Sequence, residues 1–315
     1  MARKIPPIIK EIKLHNHQKV NYAYQKNISF SQYSMWKSCP KKWSLQYREG
    51  HKKFSSSIHS VFGTAFHETL QHYLTVMYEE SGVEADKIDI NELLRENLRS
   101  CYTEEYKKNK SLHFSSSEEI KEFYKDGIEI LNYIKKKRGQ YFTKRGWHLV
   151  GIETPITISP NPRFPNILYV GFLDIVLYHE PTNTFKIIDI KTSTKGWNKY
   201  AKNDEDKQFQ LILYKKFFAE QFGVPVNSID IEFFIVKRKL YDDCDFPQKR
   251  VQEFVPASGK VKLGRAVRAL NEFLEECFVG NSYTEKEMDT NPSKFNCGFC
   301  PFKDDKELCG LGINL

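Results

Sequence analysis

Two acidic side chains lie in neighbouring apolar segments of the chain, where an unpaired carboxylate is costly to bury. The first segment reads ILYVGFLDIVLY and carries Asp174, and the second reads FKIIDIK and carries Asp189. Segments of this length that are rich in β-branched and aromatic residues are typical of strands. Buried carboxylates are stable when they are paired or bound to metal. The sequence therefore predicts a carboxylate pair that could hold a divalent cation.

The connection between these two strands predicts which side chains meet. It reads EPTN over residues 180–183, with proline at the first central position of a turn. Such a turn pairs Asp174 with Asp189 on one face, about 5 Å apart at Cβ, and alternation adds Lys191 to that face. Carboxylate oxygens suit Mg²⁺ or Mn²⁺, and the lysine could orient a water or neutralise a phosphate. A structural aspartate–lysine pair is the alternative.

Three cysteines near the end of the chain have a spacing typical of a metal site. Cys297 and Cys300 form a C-x-x-C pair, and Cys309 follows after eight residues. A fourth ligand is needed, and the candidates are the four other cysteines, namely Cys39, Cys101, Cys244 and Cys277. Four thiolates suit either Zn²⁺ or an iron–sulfur cluster, and the spacing alone does not separate the two.

Predicted strands and helices surround these residues. Apolar alternation and composition predict strands at 147–158, 166–178, 184–192, 229–238 and 250–255. Helical spacing predicts helices at 61–80, 90–109, 118–138, 205–222 and 261–279, and an earlier helix that begins at the N-cap Ser31. Helices first and then a strand meander indicate an α/β fold with a mixed sheet and a helical N-terminal part.

The charge balance favours a polyanionic partner without requiring one. The chain of 315 residues carries a net charge of +8, and its lysines cluster at 135–138, 195–202 and 237–239. Trp197 and Tyr200 lie among the lysines of the second cluster, where they could stack on bases; a solvated loop with a packed aromatic is the alternative. The chain carries no phosphate-binding G-x-x-x-x-G-K-[ST] motif, so we expect no motor activity of its own.

The chain has neither an apolar secretory segment at its start nor a stretch of ~18 apolar residues that could span a bilayer. We therefore expect an intracellular protein with reduced cysteines. The abundance of lysine, asparagine and isoleucine favours the cytoplasm of a bacterium, or of a host cell in the case of a phage protein.

Four motifs in series resemble those of the PD-(D/E)XK nuclease superfamily. The chain looks most similar to the RecB-like branch, which includes the AddB nuclease domain and the CRISPR-associated RecB-like exonucleases. The motifs read GTAFHETL at 63–70, GFLD at 171–174, IDIKTS at 188–193 and QLILY at 210–214. In GFLD, Leu173 replaces the proline of the family name.

The resemblance implies a restriction-endonuclease-like core and a role for each motif. It makes His67, Asp174, Asp189 and the Ile190 carbonyl the ligands of Mg²⁺ or Mn²⁺, with two metal ions in the active complex. It makes Lys191 the residue that assists the attacking water, and it places Gln210 and Tyr214 along the site near the DNA backbone. The implied reaction is phosphodiester hydrolysis.

The same resemblance assigns the cysteines. Members of this branch carry an early C-P-x-x-[WY] segment, matched here by Cys39 in CPKKW, together with three late cysteines. It implies that Cys39, Cys297, Cys300 and Cys309 hold a [4Fe–4S] cluster, with Zn²⁺ as the alternative. The spacing before Cys309 is longer than is usual in the family.

We therefore expect an N-terminal arm over 1–28 and a single nuclease domain over 29–315. Within that domain we expect a mainly helical part at 29–145, a core at 146–280 and a cysteine tail at 281–315 that packs against the segment around Cys39. The expected function is a DNA exonuclease that prefers single-stranded ends. We expect it to serve recombination, repair or DNA processing beside a helicase, recombinase or integration partner.

Two other classes of protein remain open on the sequence. One is a catalytically silent scaffold that binds DNA ends, although the retained acidic residues and lysine argue against it. The other is a zinc-stapled interaction module, which would explain the cysteines and leave the acidic pair unexplained.

Overall fold

A computed structural model describes residues 5–16, 26–51 and 56–310. The chain forms two compact units, and each is built from three separate segments. Unit 1 contains Met1–Lys19, Ser56–Pro155 and Phe172–Ser258, and unit 2 contains Val20–Ser55, Ile156–Gly171 and Gly259–Leu315. Neither unit is therefore a consecutive part of the sequence. The central part of the expected arm, residues 17–25, lies outside the described residues.

Helices make up most of the first half of the chain. The α-helices of the whole described chain are α1 (Pro7–Asn16), α2 (Phe30–Ser38), α3 (Pro40–Trp43), α4 (Ile58–Glu79), α5 (Gly82–Asp86), α6 (Ile90–Lys108), α7 (Ser117–Tyr141), α8 (Lys199–Asn203), α9 (Glu205–Phe222), α10 (Lys260–Cys277), α11 (Lys294–Gly298) and α12 (Lys306–Cys309). A π-helical turn, Ser44–Arg48, follows α3. The five predicted long helices are confirmed, and none of the described helices is long and apolar enough to cross a membrane.

The predicted N-cap of α2, Ser31, is wrong by two residues. Ser29, with an extended backbone, is the N-cap of α2, and its hydroxyl accepts a hydrogen bond from the Gln32 amide. Ser31 lies inside the first turn, where its own backbone is already helical. Two serines two residues apart both match the preference for a capping hydroxyl, and only the backbone geometry distinguishes them.

The strands are β1 (Lys26–Ile28), β2 (Trp147–Ile158), β3 (Ile167–His179), β4 (Thr184–Ser193), β5 (Ile229–Lys237), β6 (Val251–Phe254), β7 (Phe278–Val279) and β8 (Ser282–Tyr283). The main sheet has the order β1-β3-β4-β5-β6, and β2 pairs with β3. Strand β4 is antiparallel to β3 and parallel to β5, so the predicted mixed sheet is confirmed.

The predicted register between β3 and β4 is confirmed up to one residue before the acidic pair. His179 pairs with Thr184, and the ladder continues in step to Ile175 and Ile188. At the next position the side chain of Asp174 accepts a hydrogen bond of 2.6 Å from the Ile190 amide. The carboxylate of Asp174 thus bonds the backbone of β4 where the ladder ends.

The core of unit 1 lies between its long helices and one face of the sheet. Helices α4, α6 and α7 pack together and cover the apolar side chains of β3, β4 and β5. Fully buried side chains such as Phe66 on α4 and Ile190 on β4 meet in this layer. Each such side chain contributes about 1.5–3 kcal/mol when it is removed from water. This packing fixes α4 against β4, and both elements carry predicted site residues.

Unit 2 has a separate aromatic core. Trp43, fully buried, makes edge contacts with Phe273 on α10 at 5.6 Å and with Phe278 at 6.1 Å between ring centroids. The Arg48 guanidinium donates hydrogen bonds to the carbonyl groups of Thr284 and Lys286. Within unit 2 these contacts join the segment around Cys39 to the C-terminal segment.

Candidate functional site

The four motif-bearing segments of unit 1 meet at one point. His67 comes from α4, Asp174 from β3, and Asp189 and Lys191 from β4. The Nδ1 atom of His67 lies 3.6 Å from Asp174 Oδ2, and the ammonium of Lys191 lies 2.8 Å from Asp189 Oδ2. Lys191 also donates a hydrogen bond of 2.9 Å to Gln210 Oε1 on α9. The structure therefore brings the predicted residues together.

His67 is half-buried beside the end of the sheet. Burial and the positive charge of Lys191 lower its pKa, a hydrogen bond with the Ile190 backbone opposes them, and the net pKa is about 4. The imidazole is therefore neutral at physiological pH, which is the form that binds metal ions.

The two aspartates are held in a way that disfavours their negative charge. Burial, and then the negative charge of Asp189, raise the pKa of Asp174 well above its usual value. Burial also raises the pKa of Asp189, although the nearby charge of Lys191 opposes this. Two carboxylates withdrawn from water, one of which raises the pKa of the other, are an arrangement that a cation relieves.

The Asp189 carboxylate is buried against the ammonium of Lys191. The residue is 3% exposed. In the part of the chain that the structure describes, Oδ2 receives no hydrogen bond of acceptable geometry, although the Lys191 ammonium is 2.8 Å away. A buried acceptor without an aligned donor is rare and points to a function. The donor set of two carboxylates, a neutral imidazole and a carbonyl fits Mg²⁺ or Mn²⁺.

The ligands are nevertheless not assembled as one set. Within residues 5–16, 26–51 and 56–310, no group of three His, Cys, Asp or Glu side chains could hold a metal ion as placed. The site instead consists of two pairs, His67 with Asp174 and Asp189 with Lys191. The lysine occupies the side of Asp189 that a cation would share.

Lys191 carries a full positive charge. Burial lowers the pKa of its ammonium, but attraction to Asp189 outweighs burial, so the net pKa is raised. Helix α9 then extends the contacts, since Gln210 accepts from Lys191 and donates a hydrogen bond of 3.4 Å to the Tyr214 hydroxyl. Burial raises the pKa of Tyr214, so its phenol stays protonated. One turn of α9 thus orients the lysine and places a hydroxyl beside it.

Two residues of the site escape prediction from the sequence. Gln71 lies one helical turn after His67 on α4, and it donates hydrogen bonds to Glu153 Oε1 at 2.6 Å and to the Asp174 carbonyl at 3.1 Å. Glu153 lies in β2 with a φ of 48°. The spacing from His67 to Gln71 is a signal that could have identified the glutamine. No sequence pattern marks a glutamate whose backbone is left-handed inside a strand, such as Glu153.

Trp197 lies after β4 and packs on the sheet. Its ring contacts Phe233 at 4.9 Å and Phe254 at 6.1 Å between centroids, and the Gln252 side chain bonds both its backbone amide and its carbonyl. Tyr200, three residues later, is 85% exposed. Tyr200 therefore presents the more exposed aromatic ring of this segment, and Trp197 is half-buried.

Several charges of the basic clusters at 135–138 and 237–239 are paired with acidic side chains. Arg138 and Lys135 both pair with Asp86, and Lys239 pairs with Asp126. These charges stabilise the packing of helices and loops in unit 1 and contribute less to an open phosphate-binding surface than the sequence predicts.

The four cysteines of the predicted cluster all belong to unit 2. Cys39 ends α2, and the carbonyl of the preceding Ser38 accepts hydrogen bonds from the side chains of Asn291 and Asn296 at 2.9 and 2.8 Å. Asn296 directly precedes Cys297, so the cysteine tail lies beside the Cys39 segment. All seven cysteines are free thiols, and the described part of the chain contains no assembled thiolate group.

Comparison with known proteins agrees with this geometry. A family model described as the PD-(D/E)XK nuclease superfamily matches residues 27–305. No curated protein matches the chain.

Proposed function

The chain belongs to the PD-(D/E)XK nuclease superfamily, and we propose that it is a metal-dependent DNA exonuclease of the RecB-like branch. Membership implies a nuclease, and divalent metal ions are general in this superfamily. The observation that carries the proposal is the contact series His67–Asp174 and Asp189–Lys191–Gln210 at the end of two adjacent strands. A structural ion pair would need neither the half-buried histidine nor the second carboxylate.

His67, Asp174, Asp189 and the Ile190 carbonyl would hold Mg²⁺ or Mn²⁺. When bound, the metal ion makes water acidic enough to attack a phosphodiester and offsets negative charge on the phosphate. The neutral imidazole and the closely spaced carboxylates supply one nitrogen and several oxygen atoms for this purpose.

Lys191 acts as a cation on the substrate. Its ammonium remains protonated because Asp189 lies 2.8 Å away, so it donates hydrogen bonds to the scissile phosphate or to the attacking water. Gln210 fixes its position, and the Tyr214 hydroxyl extends the row of donors along the DNA backbone. Stabilisation of developing charge by preorganised donors is the main contribution of the protein to this type of reaction.

We propose single-stranded DNA ends as the substrate. The net charge of +8 favours a polyanion, and the segment after β4 combines Lys195, Lys199 and Lys202 with the exposed ring of Tyr200. Base stacking on an aromatic ring within a basic groove is the usual mode of single-strand binding. Trp197 anchors this segment to the sheet through its ring contacts with Phe233 and Phe254.

We also propose that Cys39, Cys297, Cys300 and Cys309 bind a [4Fe–4S] cluster, with Zn²⁺ as the alternative. The hydrogen bonds from Asn291 and Asn296 to Ser38 support this, because they hold the tail against the Cys39 segment within unit 2. As a nuclease without a motor motif, the protein would work in the cytoplasm of a bacterium or phage-infected cell. A helicase, recombinase or integration complex would supply its single strands.

A catalytically silent scaffold that binds DNA ends is the second candidate. It is favoured by one observation, that no three candidate ligands of the described chain are assembled as a group. In a scaffold of this kind Lys191 would neutralise Asp189 permanently.

The deciding experiment uses anaerobically purified protein with end-labelled single-stranded and duplex DNA. Reactions contain Mg²⁺, Mn²⁺ or EDTA, and the Asp174→Asn variant is the control for a contaminating nuclease. Degradation that needs metal and is lost in the variant supports the nuclease, and the product ladder gives the polarity. Folded protein that binds DNA but cleaves nothing with either metal supports the scaffold instead.

A further inference from the structure

Glu153 is an acidic residue in an unusual backbone conformation close to the site. It lies within β2 of unit 1 and is exposed, and its φ of 48° is in the left-handed region. Non-glycine residues adopt this region rarely, and such strain persists where the surrounding contacts hold it. The contact that holds Glu153 is a hydrogen bond of 2.6 Å from Gln71.

Gln71 connects Glu153 to the residue at the centre of the site. The side chain is 5% exposed and lies one helical turn after His67. The same amide nitrogen donates to Glu153 Oε1 at 2.6 Å and to the Asp174 carbonyl at 3.1 Å. Helix α4 therefore contacts Asp174 twice, with His67 at its carboxylate and with Gln71 at its backbone. Glu153 is held at the second of these contacts.

Glu153 lies close enough to the site to act on it electrostatically. Its negative charge acts on both the Asp174 carboxyl and the Tyr214 hydroxyl. Gln71 bonds one of its oxygens, and among the described residues no cationic side chain lies within ion-pair distance of the other. Asp189, almost fully buried in the same site, has an oxygen without an aligned donor. Glu153 therefore adds negative charge beside Asp174, whereas the Lys191 ammonium of the site contacts Asp189.

We propose that Glu153 is a further ligand of the catalytic site, whose carboxylate binds the divalent cation beside Asp174, and that Gln71 is the positioning residue that orients it. This inference rests on the proposed function, because it assumes a cation at Asp174. It adds a third carboxylate, from a strand that carries none of the four motifs. It also explains why a polar amide is buried between α4 and the sheet, since Gln71 sets the distance between Glu153 and the Asp174 backbone.

The test measures Mn²⁺ binding to the full-length protein directly, by electron paramagnetic resonance of the free ion. We expect Glu153→Gln to raise the Mn²⁺ dissociation constant about tenfold or more, within the range seen when residues around a metal are changed. Glu153→Asp keeps the charge and tolerates the left-handed backbone, but its shorter carboxylate should not reach, so it should also bind weakly. The matched control is Glu68→Gln, a carboxylate on α4 next to His67, which should change binding less than twofold.

Two further variants separate the possible outcomes. Gln71→Leu should weaken Mn²⁺ binding while Glu153 is intact, and circular dichroism verifies that the variant is folded.

If Glu153→Asp binds as tightly as the unchanged protein, charge alone suffices and the ligand role is wrong. If Asp174→Asn abolishes binding but Glu153→Gln does not weaken it, this inference fails and the proposed function stands. If the unchanged protein binds no Mn²⁺ that depends on Asp174, the proposed function itself fails.

Discussion

At the scale of single residues, Lys191 is the side chain with the most specific contacts in the site. Its ammonium meets Asp189 on its own strand and Gln210 on α9. Replacement by methionine keeps the length of the side chain and removes the charge. We expect Lys191→Met to lower the cleavage rate about 100-fold or more, the usual effect of losing a positioned catalytic group.

The measurement is single-turnover cleavage of end-labelled DNA with saturating Mn²⁺. Lys207→Met, which removes an exposed lysine on α9, is the matched control and should cleave normally. Equal rates for the two variants would show that Lys191 is only a structural partner of Asp189.

Asp174 should reduce the stability of the metal-free protein at neutral pH. Burial and Asp189 raise its pKa in the folded state, so the folded protein binds more protons than the unfolded chain. Stability is then greatest at low pH and is lost as the pH rises through the folded pKa. We expect Asp174→Asn to stabilise the metal-free protein at pH 8 by about 1 kcal/mol, and by less at pH 5.

Thermal unfolding in EDTA across this pH range checks the sign. Asparagine can still accept the hydrogen bond from the Ile190 amide, so the comparison isolates the charge. Asp243→Asn, at an exposed aspartate, should leave the curve unchanged. A variant that is less stable than the unchanged protein at pH 8 would contradict the reasoning.

Residue types and spacing predicted those parts of the site that regular geometry positions. Strand alternation, which has a fixed period, predicts Asp174, Asp189 and Lys191 on one face. Gln210 and Tyr214 come from the family resemblance, and the helical repeat puts them one turn apart. Glu153 could not be found in this way, since its position depends on a local left-handed conformation and on Gln71 from a distant helix.

At the scale of elements, Gly127 allows three helices of unit 1 to approach closely. A Cβ atom on this residue of α7 would lie 2.7 Å from Leu94 on α6 and 2.9 Å from Phe62 on α4. Both neighbours are buried side chains that have little room to move. We expect Gly127→Ala to destabilise the protein by about 1–3 kcal/mol, as overpacking of a core does.

The matched control is Gly139→Ala on the same helix. No heavy atom lies within 4 Å of its added Cβ, so alanine should stabilise the helix by about 0.5–1 kcal/mol. Urea unfolding of both variants measures the difference. Two changes of the same sign would contradict the close approach at Gly127.

Element boundaries were predictable where both ends carry a signal. The predicted bounds 205–222 of α9 are those of the structure, because Asp204 caps its first turn and Gly223 adopts the left-handed conformation that ends it. The π-helical turn Ser44–Arg48 has no signal of this kind. Trp43, just before this turn, and Arg48, at its end, contact Phe273 and Thr284 of unit 2, more than 200 positions away, and a local pattern does not contain such contacts.

At the scale of the whole molecule, the two units interleave along the chain. Unit 2 is made from the segments 20–55, 156–171 and 259–315, which hold no long apolar stretch that would mark them as one core. Composition and periodicity are local properties, whereas this assembly depends on contacts between residues more than 200 positions apart. The proposed catalytic residues, from His67 to Tyr214, all fall in unit 1, and the proposed cysteine ligands all fall in unit 2.

Because the proposed cysteine ligands lie in unit 2 and the catalytic residues in unit 1, we expect the cysteine site to stabilise the fold. A metal centre that joins Cys39 to Cys297, Cys300 and Cys309 would close a loop over most of the chain and hold together distant segments of unit 2. Binding at structural metal sites contributes on the order of 10 kcal/mol to folding. We therefore expect Cys39→Ala and Cys300→Ala to give poorly soluble protein, whereas Cys244→Ala, at an exposed thiol, should be soluble and active.

Metal and sulfide analysis of anaerobically purified protein completes this prediction. Four iron atoms with acid-labile sulfide and a brown colour identify the cluster, and one zinc atom without sulfide identifies the alternative. Because the four ligands and the catalytic residues lie in different units, loss of the cysteine metal should act through folding rather than through the chemical step. Cys39→Ala and Cys300→Ala proteins that contain no metal yet are folded and fully active would contradict the structural role of the site.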